Sequence, residues 1–370
     1  MKIIANLIVF AFVLVLFQGC IFKEKSPYKP IGEEGGIAYR ISEKAILKVP
    51  FENINTSRVA RITDYPDIKV IKFEIGPVTI EPQTSYFWQP AWIAAFPFDV
   101  WITRFECAVY DSNNKIVNEP ILFHANIVDP NKRELFYPVA HRLFITDQNS
   151  GSYELPGMYG IPVKADEPLL INAVFRNLSD TARSNIYLAM YFNYSDKKLF
   201  GPVDVMILYL DAGAPVFNGY FTMPSGKSRI NFSYPAAAAG HLFAIGGHIR
   251  NFNRNFFLVD SAKGDTIWKT VNRGTFISYL KNSPRQLDYI PKWINSDHTY
   301  NISVQNNYPL SRYPVETRIG TITALFRPDN INNWDTPDYS DNMYRNDLQL
   351  MIEGYVTGYQ KETKLTSRIP

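Results

Sequence analysis

Residues 186–192 read Ile-Tyr-Leu-Ala-Met-Tyr-Phe, and residues 205–210 read Val-Met-Ile-Leu-Tyr-Leu. Both runs are apolar almost without interruption and contain the aromatic and branched side chains that strands favour. A strand has this composition when other layers of the protein cover both of its faces. The two runs therefore predict β-strands in the interior of a β protein.

Other strands are predicted where polar and apolar residues alternate. At residues 71–75, Lys72 and Glu74 alternate with three apolar residues, which is the period of a strand with one buried face. Turn-forming residues separate runs of this kind, at residues 111–115, 224–227 and 261–265. No stretch of three turns has a helical apolar stripe with caps. The chain is therefore predicted to be all-β.

Cys107 lies in a second alternating run, residues 101–109, whose odd positions form the more apolar face. Arg104 and Glu106 lie on the opposite face. A free cysteine in such a run is expected to pack inside as a small hydrophobe rather than to react or to bind metal. If Cys20 is acylated, no second thiol remains for a disulfide.

The length of the chain predicts two domains, because a single hydrophobic core stops growing near about 250–300 residues. Residues 211–215, Asp-Ala-Gly-Ala-Pro, follow a strong apolar strand and are the expected boundary. The predicted division is a signal peptide at 1–19, a lipidated N-terminus and tether at 20–60, a first domain at 61–211, a second domain at 212–362 and a tail at 363–370.

The amino terminus predicts export. Lys2 precedes an apolar run at residues 3–17, and Gly19 stands directly before Cys20. Fifteen helical residues span about 22 Å, which is too short for a hydrocarbon core of about 30 Å. Residues 16–20 resemble the lipobox of bacterial lipoproteins, in which the cysteine is acylated, so we expect a lipid anchor in the cell envelope. Ordinary cleavage, which would release a soluble periplasmic protein, is the alternative.

The charge balance argues against nucleic acid as a partner. The chain has 38 basic and 35 acidic residues, and loss of residues 1–19 removes only Lys2 from this count. The balance is close to even and no long basic run occurs, so the chain lacks the electrostatic pattern of a nucleic-acid-binding surface.

Two segments resemble the landmark motifs of a known family. Residues 121–130 read Ile-Leu-Phe-His-Ala-Asn-Ile-Val-Asp-Pro, and residues 241–252 read His-Leu-Phe-Ala-Ile-Gly-Gly-His-Ile-Arg-Asn-Phe. They are similar to motifs of the bacterial relatives of copper type II, ascorbate-dependent monooxygenases of the peptidylglycine α-hydroxylating type. The resemblance runs from about Val100 to Phe326. It implies two tandem jelly-roll-like β-sandwich domains, each with one copper ion at the cleft between them.

The same resemblance implies that most copper ligands are substituted. Phe123 occupies the first of two adjacent histidine positions, so that only His124 remains. Arg176 stands at the third ligand position of the first domain. In the second domain His248 is kept and Arg250 replaces its partner. A guanidinium has no lone pair for a metal and is always charged, so neither arginine can replace a histidine ligand.

One histidine in each site cannot hold copper against water. We therefore expect no cofactor, no catalytic residues, and a non-catalytic binding or assembly role in which His124 and His248 are residual metal positions. Arg176 and Arg250, if they face the cleft, favour a small anionic ligand, and an envelope protein is the other expected partner. The alternative is a copper monooxygenase with altered ligands, for which Met158, Met190 and His241 are candidates.

The remaining polar motifs have ordinary structural interpretations. His141 is predicted to be a strand residue and His298 a turn residue, each without a metal-spaced partner. Asp335, Asp338 and Asp341 offer oxygen donors for calcium, but their spacing is wrong for an EF-hand, and a solvated loop is the favoured interpretation.

The aromatic segment 86–92, Tyr-Phe-Trp-Gln-Pro-Ala-Trp, could line a sugar or peptide groove if it is exposed. Aromatic residues of β-sandwiches mostly fill cores, so the sequence favours packing for this segment.

Overall fold

The structure of the protein is a computed structural model. The structure describes residues 35–41, 58–146, 153–155, 157–196, 201–211, 221–222, 226–249, 254–269, 288–308, 317–318 and 320–358. Within these ranges, no helix combines the length and the apolar character that crossing a membrane would require.

Strands make up most of the regular structure, which confirms the prediction of a mostly β protein. In chain order, the first strands are β1 (Ile37–Tyr39), β2 (Arg61–Tyr65), β3 (Val70–Ile80), β4 (Thr84–Trp88), β5 (Trp92–Ala94), β6 (Val100–Tyr110), β7 (Leu122–Arg133), β8 (Ala140–Thr146), β9 (Tyr153–Glu154), β10 (Tyr159–Val163), β11 (Leu169–Asn177) and β12 (Arg183–Ser195). The later strands are β13 (Val203–Asp204), β14 (Met206–Asp211), β15 (Phe221–Thr222), β16 (Gly226–Pro235), β17 (Gly240–Ile249), β18 (Arg254–Asp260), β19 (Asp265–Lys269), β20 (Asp288–Ile294), β21 (Thr299–Tyr308), β22 (Thr317–Arg318), β23 (Gly320–Pro328) and β24 (Tyr355–Gly358). The described ranges also contain one α-helix, α1 (Asn342–Glu353).

Most of these strands pair antiparallel in four larger sheets. Sheet 1 has the order β1-β2-β3-β12-β6-β10-β13, with β9 also paired to β6. Sheet 2 has the order β24-β4-β11-β7-β8, with β5 also paired to β11. Sheet 3 has the order β14-β23-β17-β20, sheet 4 has the order β16-β21-β18-β19, and β15 pairs with β22.

Sheets 1 and 2 enclose an aromatic core. In sheet 1, Phe105 of β6 and Phe192 of β12 lie with their ring centroids 4.7 Å and 5.1 Å from that of Phe144 in sheet 2. Phe73 of β3 is fully buried and lies 5.1 Å from Phe192, as the alternation at residues 71–75 predicted. Burial of each such ring contributes about 1.5–3 kcal/mol. Cys107 is half-buried against this core, in agreement with its predicted packing.

The connection between β7 and β8 packs against strands from the second half of the chain. In this core hairpin, residues 133–140, the side chains of Phe136 and Tyr137 are almost completely buried. The ring of Phe136 lies 5.0 Å from that of Tyr300 in β21, and Tyr137 lies 5.0 Å from Phe232 in β16. Sheets 1, 2 and 4 therefore share one continuous hydrophobic cluster.

Two strands pair across the boundary that the sequence predicts at residues 211–215. β14, which ends at Asp211, pairs with β23 of sheet 3 rather than with a strand of sheet 1 or 2. β24, near the carboxyl end, pairs with β4 of sheet 2. Order along the chain does not decide which strands pair, and the division 61–211 and 212–362 stays a prediction.

Helix α1 differs from the sequence expectation, which contained no helix. Its start is fixed by Asp341, whose carboxylate accepts hydrogen bonds from two backbone N–H groups of the first turn. Tyr344, Leu348 and Met351 follow at helical spacing and are buried against sheet 2. The stripe is short, and the charged residue Asp347 lies within it, which hides the pattern in the sequence.

Candidate functional site

The structure brings together two of the site residues that the sequence predicted. His124 in β7 and Arg176 in β11 lie on neighbouring strands of sheet 2. His248 belongs to β17 of sheet 3, and its side chain lies outside the described part of the structure. Arg250 and Cys20 also lie outside the described residues.

A β-bulge positions the side chains at this end of sheet 2. Along β11, Val174 is paired with His124 and the next residue, Phe175, is paired with Leu122. Phe123 is therefore the extra residue of β7, and such a bulge redirects the side chains next to it. In a regular strand the side chains of Phe123 and His124 would point to opposite faces. At the bulge their ring centroids lie 5.4 Å apart.

Four rings and one guanidinium meet at the bulge, and we call them the Phe123 cluster: Tyr86, Trp88, Phe123, His124 and Arg176. The ring centroids of Tyr86 and Phe123 are 5.1 Å apart, and those of Trp88 and His124 are 5.3 Å apart, both pairs edge-to-face. Trp88 is buried, whereas the other four side chains are half-buried. The cluster is thus an aromatic surface with partial access to solvent.

Arg176 is held in place by two contacts within the cluster. Its Nε donates a hydrogen bond of 3.0 Å to the carbonyl oxygen of Pro120. Its guanidinium carbon lies 6.0 Å from the centroid of the Phe123 ring, at the outer range of a cation–π contact. The described residues provide no hydrogen-bond acceptor for its two terminal nitrogens. A fixed guanidinium beside aromatic rings is suited to a carboxylate or another anion.

The surroundings of His124 do not fit the copper site that the resemblance implies. Two aromatic rings, those of Trp88 and Phe123, flank its imidazole. Arg176, the residue at the third ligand position, is a cation directed at Pro120 and Phe123. Among the described residues, no group of three or more histidine, cysteine, aspartate or glutamate side chains is arranged to hold a metal ion.

The candidate calcium residues each have a structural role. Asp341 caps helix α1. Asp335 accepts a hydrogen bond of 2.8 Å from Arg133. Asp338 accepts bonds from the backbone and side chain of Ser340 in its own turn. Each of the three carboxylates thus has a hydrogen-bond partner within the protein.

His141 and His298 lie where the sequence predicted. His141 is a strand residue of β8, completely buried, and His298 lies in the turn before β21. The imidazole Nδ1 of His298 lies 2.8 Å from a carboxylate oxygen of Asp260.

A second polar site, on the outer face of sheet 1, was not predicted. The alternation at residues 71–75 suggested that Lys72 and Glu74 face solvent, but both are buried. The carboxylate of Glu74 accepts a hydrogen bond of 3.1 Å from Lys72, and it also contacts the side chains of Arg61 and Tyr110. A layer of tyrosine side chains packs over this face of sheet 1 and buries both residues. The sequence does not reveal this layer, because its members come from several strands, and so the alternation predicted exposure.

Glu106 is the chemically unusual residue of this outer face. One carboxylate oxygen accepts a hydrogen bond of 3.0 Å from Arg104, and the other is buried without a hydrogen-bond partner. Burial raises the pKa of Glu106, and the charge and hydrogen bond of Arg104 only partly oppose this effect. The Glu106 carboxyl group is therefore easier to protonate than an exposed glutamate.

No family profile and no curated protein matches the chain. Among solved structures, N-glycanase F (PNGase F) is similar at a TM-score of 0.34 and 10% identity, over 71% of this chain and 96% of that one. A related PNGase F structure, from Flavobacterium meningosepticum, has a TM-score of 0.32 and 11% identity, over 70% of this chain and 96% of that one.

The major capsid protein P2 of bacteriophage PM2 is similar at a TM-score of 0.34 and 9% identity, over 67% of this chain and 98% of that one. At TM-scores and identities this low, the likenesses say nothing about ligand or activity.

Proposed function

We propose that this chain is an exported cell-envelope protein, anchored through lipid on Cys20, that binds a small anionic ligand at the Phe123 cluster and catalyses no reaction. In this proposal the sheets belong to two tandem jelly-roll-like β-sandwich domains. The ligand is a carboxylate with an apolar body, because the cluster offers one guanidinium and several aromatic rings. The proposal rests on one observation, the position of Arg176.

Arg176 supports binding because its orientation is fixed before any ligand arrives. The bond to Pro120 and the contact with Phe123 restrict a side chain that would otherwise lose about 2 kcal/mol of rotamer entropy on binding. A preorganised guanidinium can donate two parallel hydrogen bonds to a carboxylate. The same position, occupied by a cation, disfavours a copper ion beside His124.

A titration of the full-length protein with benzoate tests the anion site, because benzoate combines a carboxylate with a ring. We expect Arg176→Gln to weaken binding at least about tenfold, since a hydrogen bond to a charged group contributes about 1.5–3 kcal/mol. Arg345→Gln, which removes the same charge from an exposed arginine of helix α1 outside the cluster, is the matched control and should leave binding unchanged. Equal affinity of the wild type and Arg176→Gln would place the anion site elsewhere.

Metal analysis separates this proposal from the copper monooxygenase alternative. The purified protein is loaded with copper, passed through a desalting column and analysed for bound metal. We expect copper well below one equivalent per chain, with no loss when His124 is replaced by alanine. Retention of about two copper ions per chain, reduced by His124→Ala, would favour the enzyme.

A further inference from the structure

We infer that the exposed face of sheet 3 around Trp293 is a binding site for a neutral carbohydrate. This site is separate from the Phe123 cluster, which lies in sheet 2, and it does not depend on the function proposed for that cluster. It consists of a row of side chains that crosses three neighbouring strands, and we call it the Trp293 row: Trp293, His241, Arg327 and Asp329.

The strand register places these side chains side by side. His241 of β17 is paired with Trp293 of β20 on one side and with Arg327 of β23 on the other. Directly paired residues of a sheet present their side chains on the same face. The backbone N–H of Asp329 donates to the carbonyl oxygen of Ala239 at 2.9 Å, so the pairing continues to Asp329, two residues beyond Arg327.

The ring of Trp293 is exposed and yet fixed. Its side chain is 41% exposed, which is unusual for a residue that mostly lies in protein interiors. Its Nε1 donates a hydrogen bond of 2.9 Å to the side-chain oxygen of Asn295. The imidazole of His241 packs edge-to-face against it, with ring centroids 4.7 Å apart. These two contacts restrain the indole, and its exposed surface is available to a ligand.

Close packing of the strands makes the row rigid. Gly240, the residue of β17 just before His241, lies close to the backbone of β23. A Cβ atom at this position would lie 2.3 Å from the carbonyl oxygen of Arg327. A side chain at position 240 would therefore push β17 and β23 apart. The glycine allows the backbones to approach, and the approach keeps His241 and Arg327 together.

The chemistry of the row favours a sugar over other ligands. A pyranose ring presents a face of C–H groups that packs on an indole, and hydroxyl groups at its rim that accept and donate hydrogen bonds. Arg327 supplies donors and Asp329 supplies acceptors, and both residues are exposed. Their opposite charges balance, so the row has no electrostatic preference for a strongly charged ligand.

A protein partner is disfavoured by the small size of the apolar surface. The other large exposed hydrophobic side chains among the described residues all lie before residue 204: Ile37, Val59, Ile68, Met158, Leu178 and Val203. A stable protein interface buries more than about 1,000 Å², with an apolar centre. In the described part of the second half, Trp293 alone offers such surface, which suits one or two sugar units.

Neutral oligosaccharides are the probes that test the inference. The full-length protein, in a zwitterionic detergent without sugar groups, is titrated with hexasaccharides of glucose, mannose, galactose and N-acetylglucosamine by calorimetry and tryptophan fluorescence. We expect at least one of them to bind, and Trp293→Ala to lower the association constant about tenfold or more. Asp329→Asn is expected to weaken the same interaction, and Trp293→Phe to keep part of it.

Leu178→Ala, a change at another exposed apolar residue, is the matched control and should bind as the wild type does. Thermal unfolding shows whether Trp293→Ala is folded. If it is not, the sugar affinities of Trp293→Phe and Asp329→Asn test the inference in its place. The inference is overturned if none of the hexasaccharides binds or if the Trp293 and Asp329 variants bind like the wild type. It is also overturned if Trp293 instead governs binding to phosphatidylcholine vesicles. Arg176→Gln should not affect this assay, which separates the two proposals.

Discussion

The imidazole Nδ1 of His141 lies 3.2 Å from a carboxylate oxygen of Glu134, and neither side chain has meaningful access to solvent. The other oxygen of Glu134 accepts a hydrogen bond of 2.6 Å from the backbone N–H of Arg142. The imidazole packs against Trp334, 5.6 Å away between ring centroids. Glu134 belongs to the core hairpin, whose Phe136 and Tyr137 pack against the second half of the chain. The contact with His141 therefore holds the start of this hairpin in place.

Replacement of Glu134 by alanine should be strongly destabilising. The change leaves the ring of His141 and the backbone N–H of Arg142 without their acceptor, and each unsatisfied buried donor costs about 1–3 kcal/mol. We expect the free energy of unfolding, measured by urea titration, to fall by about 2–5 kcal/mol. The exposed change Glu353→Ala should stay within about 0.5 kcal/mol of the wild type. Similar losses in both variants would show that the Glu134 pair has no special role.

The contact between Arg142 and Asp347 should be equally sensitive to the loss of one partner. Asp347 of helix α1 accepts hydrogen bonds from both terminal nitrogens of Arg142 and from the backbone N–H of Ala140. Removal of one partner from such a buried pair costs about 3–5 kcal/mol. We expect this loss for Asp347→Ala, and less than the sum of the single losses for the double variant with Arg142→Ala. Additive losses in urea titrations would mean that the two residues act independently.

Phe136 should couple the two halves of the chain. Its fully buried ring lies between the core of sheets 1 and 2 and Tyr300 of sheet 4. We expect Phe136→Ala to lower the free energy of unfolding by about 3–5 kcal/mol and to broaden or split the calorimetric transition. Leu178→Ala, at an exposed position, is the control. A single, unshifted transition for Phe136→Ala would contradict the shared core.

Glu106 should make stability depend on pH. Burial raises its pKa in the folded state, so its contribution to stability is fully present below the unfolded pKa and is lost as pH rises through the folded pKa. Glu106→Gln cannot ionise, and we expect it to be more stable than the wild type at neutral pH and no more stable at pH 3. Thermal unfolding across pH 3–8 measures the difference.

Asp338→Asn is the control for this measurement, because the pKa of Asp338 is lowered in the folded protein whereas that of Glu106 is raised. Hydrogen bonds from the side chain and backbone of Ser340 lower the pKa of Asp338. The stability that Asp338 contributes is present above its unfolded pKa and lost as pH falls, so any advantage of the wild type over Asp338→Asn should disappear in acid. The same pH profile for both variants would refute the assignment of Glu106.

The strands could be located from the sequence because their signals are local. Residues 186–192 and 205–209 lie in the interior, and the turn at residues 261–265 joins β18 to β19, as their composition predicted. Helix α1 was missed because Tyr344, Leu348 and Met351 make only a short stripe. Asp341 before it and Gly354 after it were the available signals.

The candidate sites were less accessible to sequence analysis, because they depend on pairing between distant strands. The sequence placed His124 and Arg176 in one site by resemblance, but the bulge at Phe123 and the bond from Arg176 to Pro120 arise only when β7 and β11 pair. The Trp293 row joins residues from positions 241 to 329, and no local pattern connects them.

The sequence by itself determined where strands form and which of their faces is apolar, because the alternation of side chains follows from the geometry of a single extended chain. The tertiary structure alone decided which polar residues are buried, as Glu74 and Glu106 are, and which strands are neighbours, as β14 and β23 are. Burial and pairing depend on surfaces contributed by residues far apart in the chain, so their free energies are fixed only when those surfaces meet.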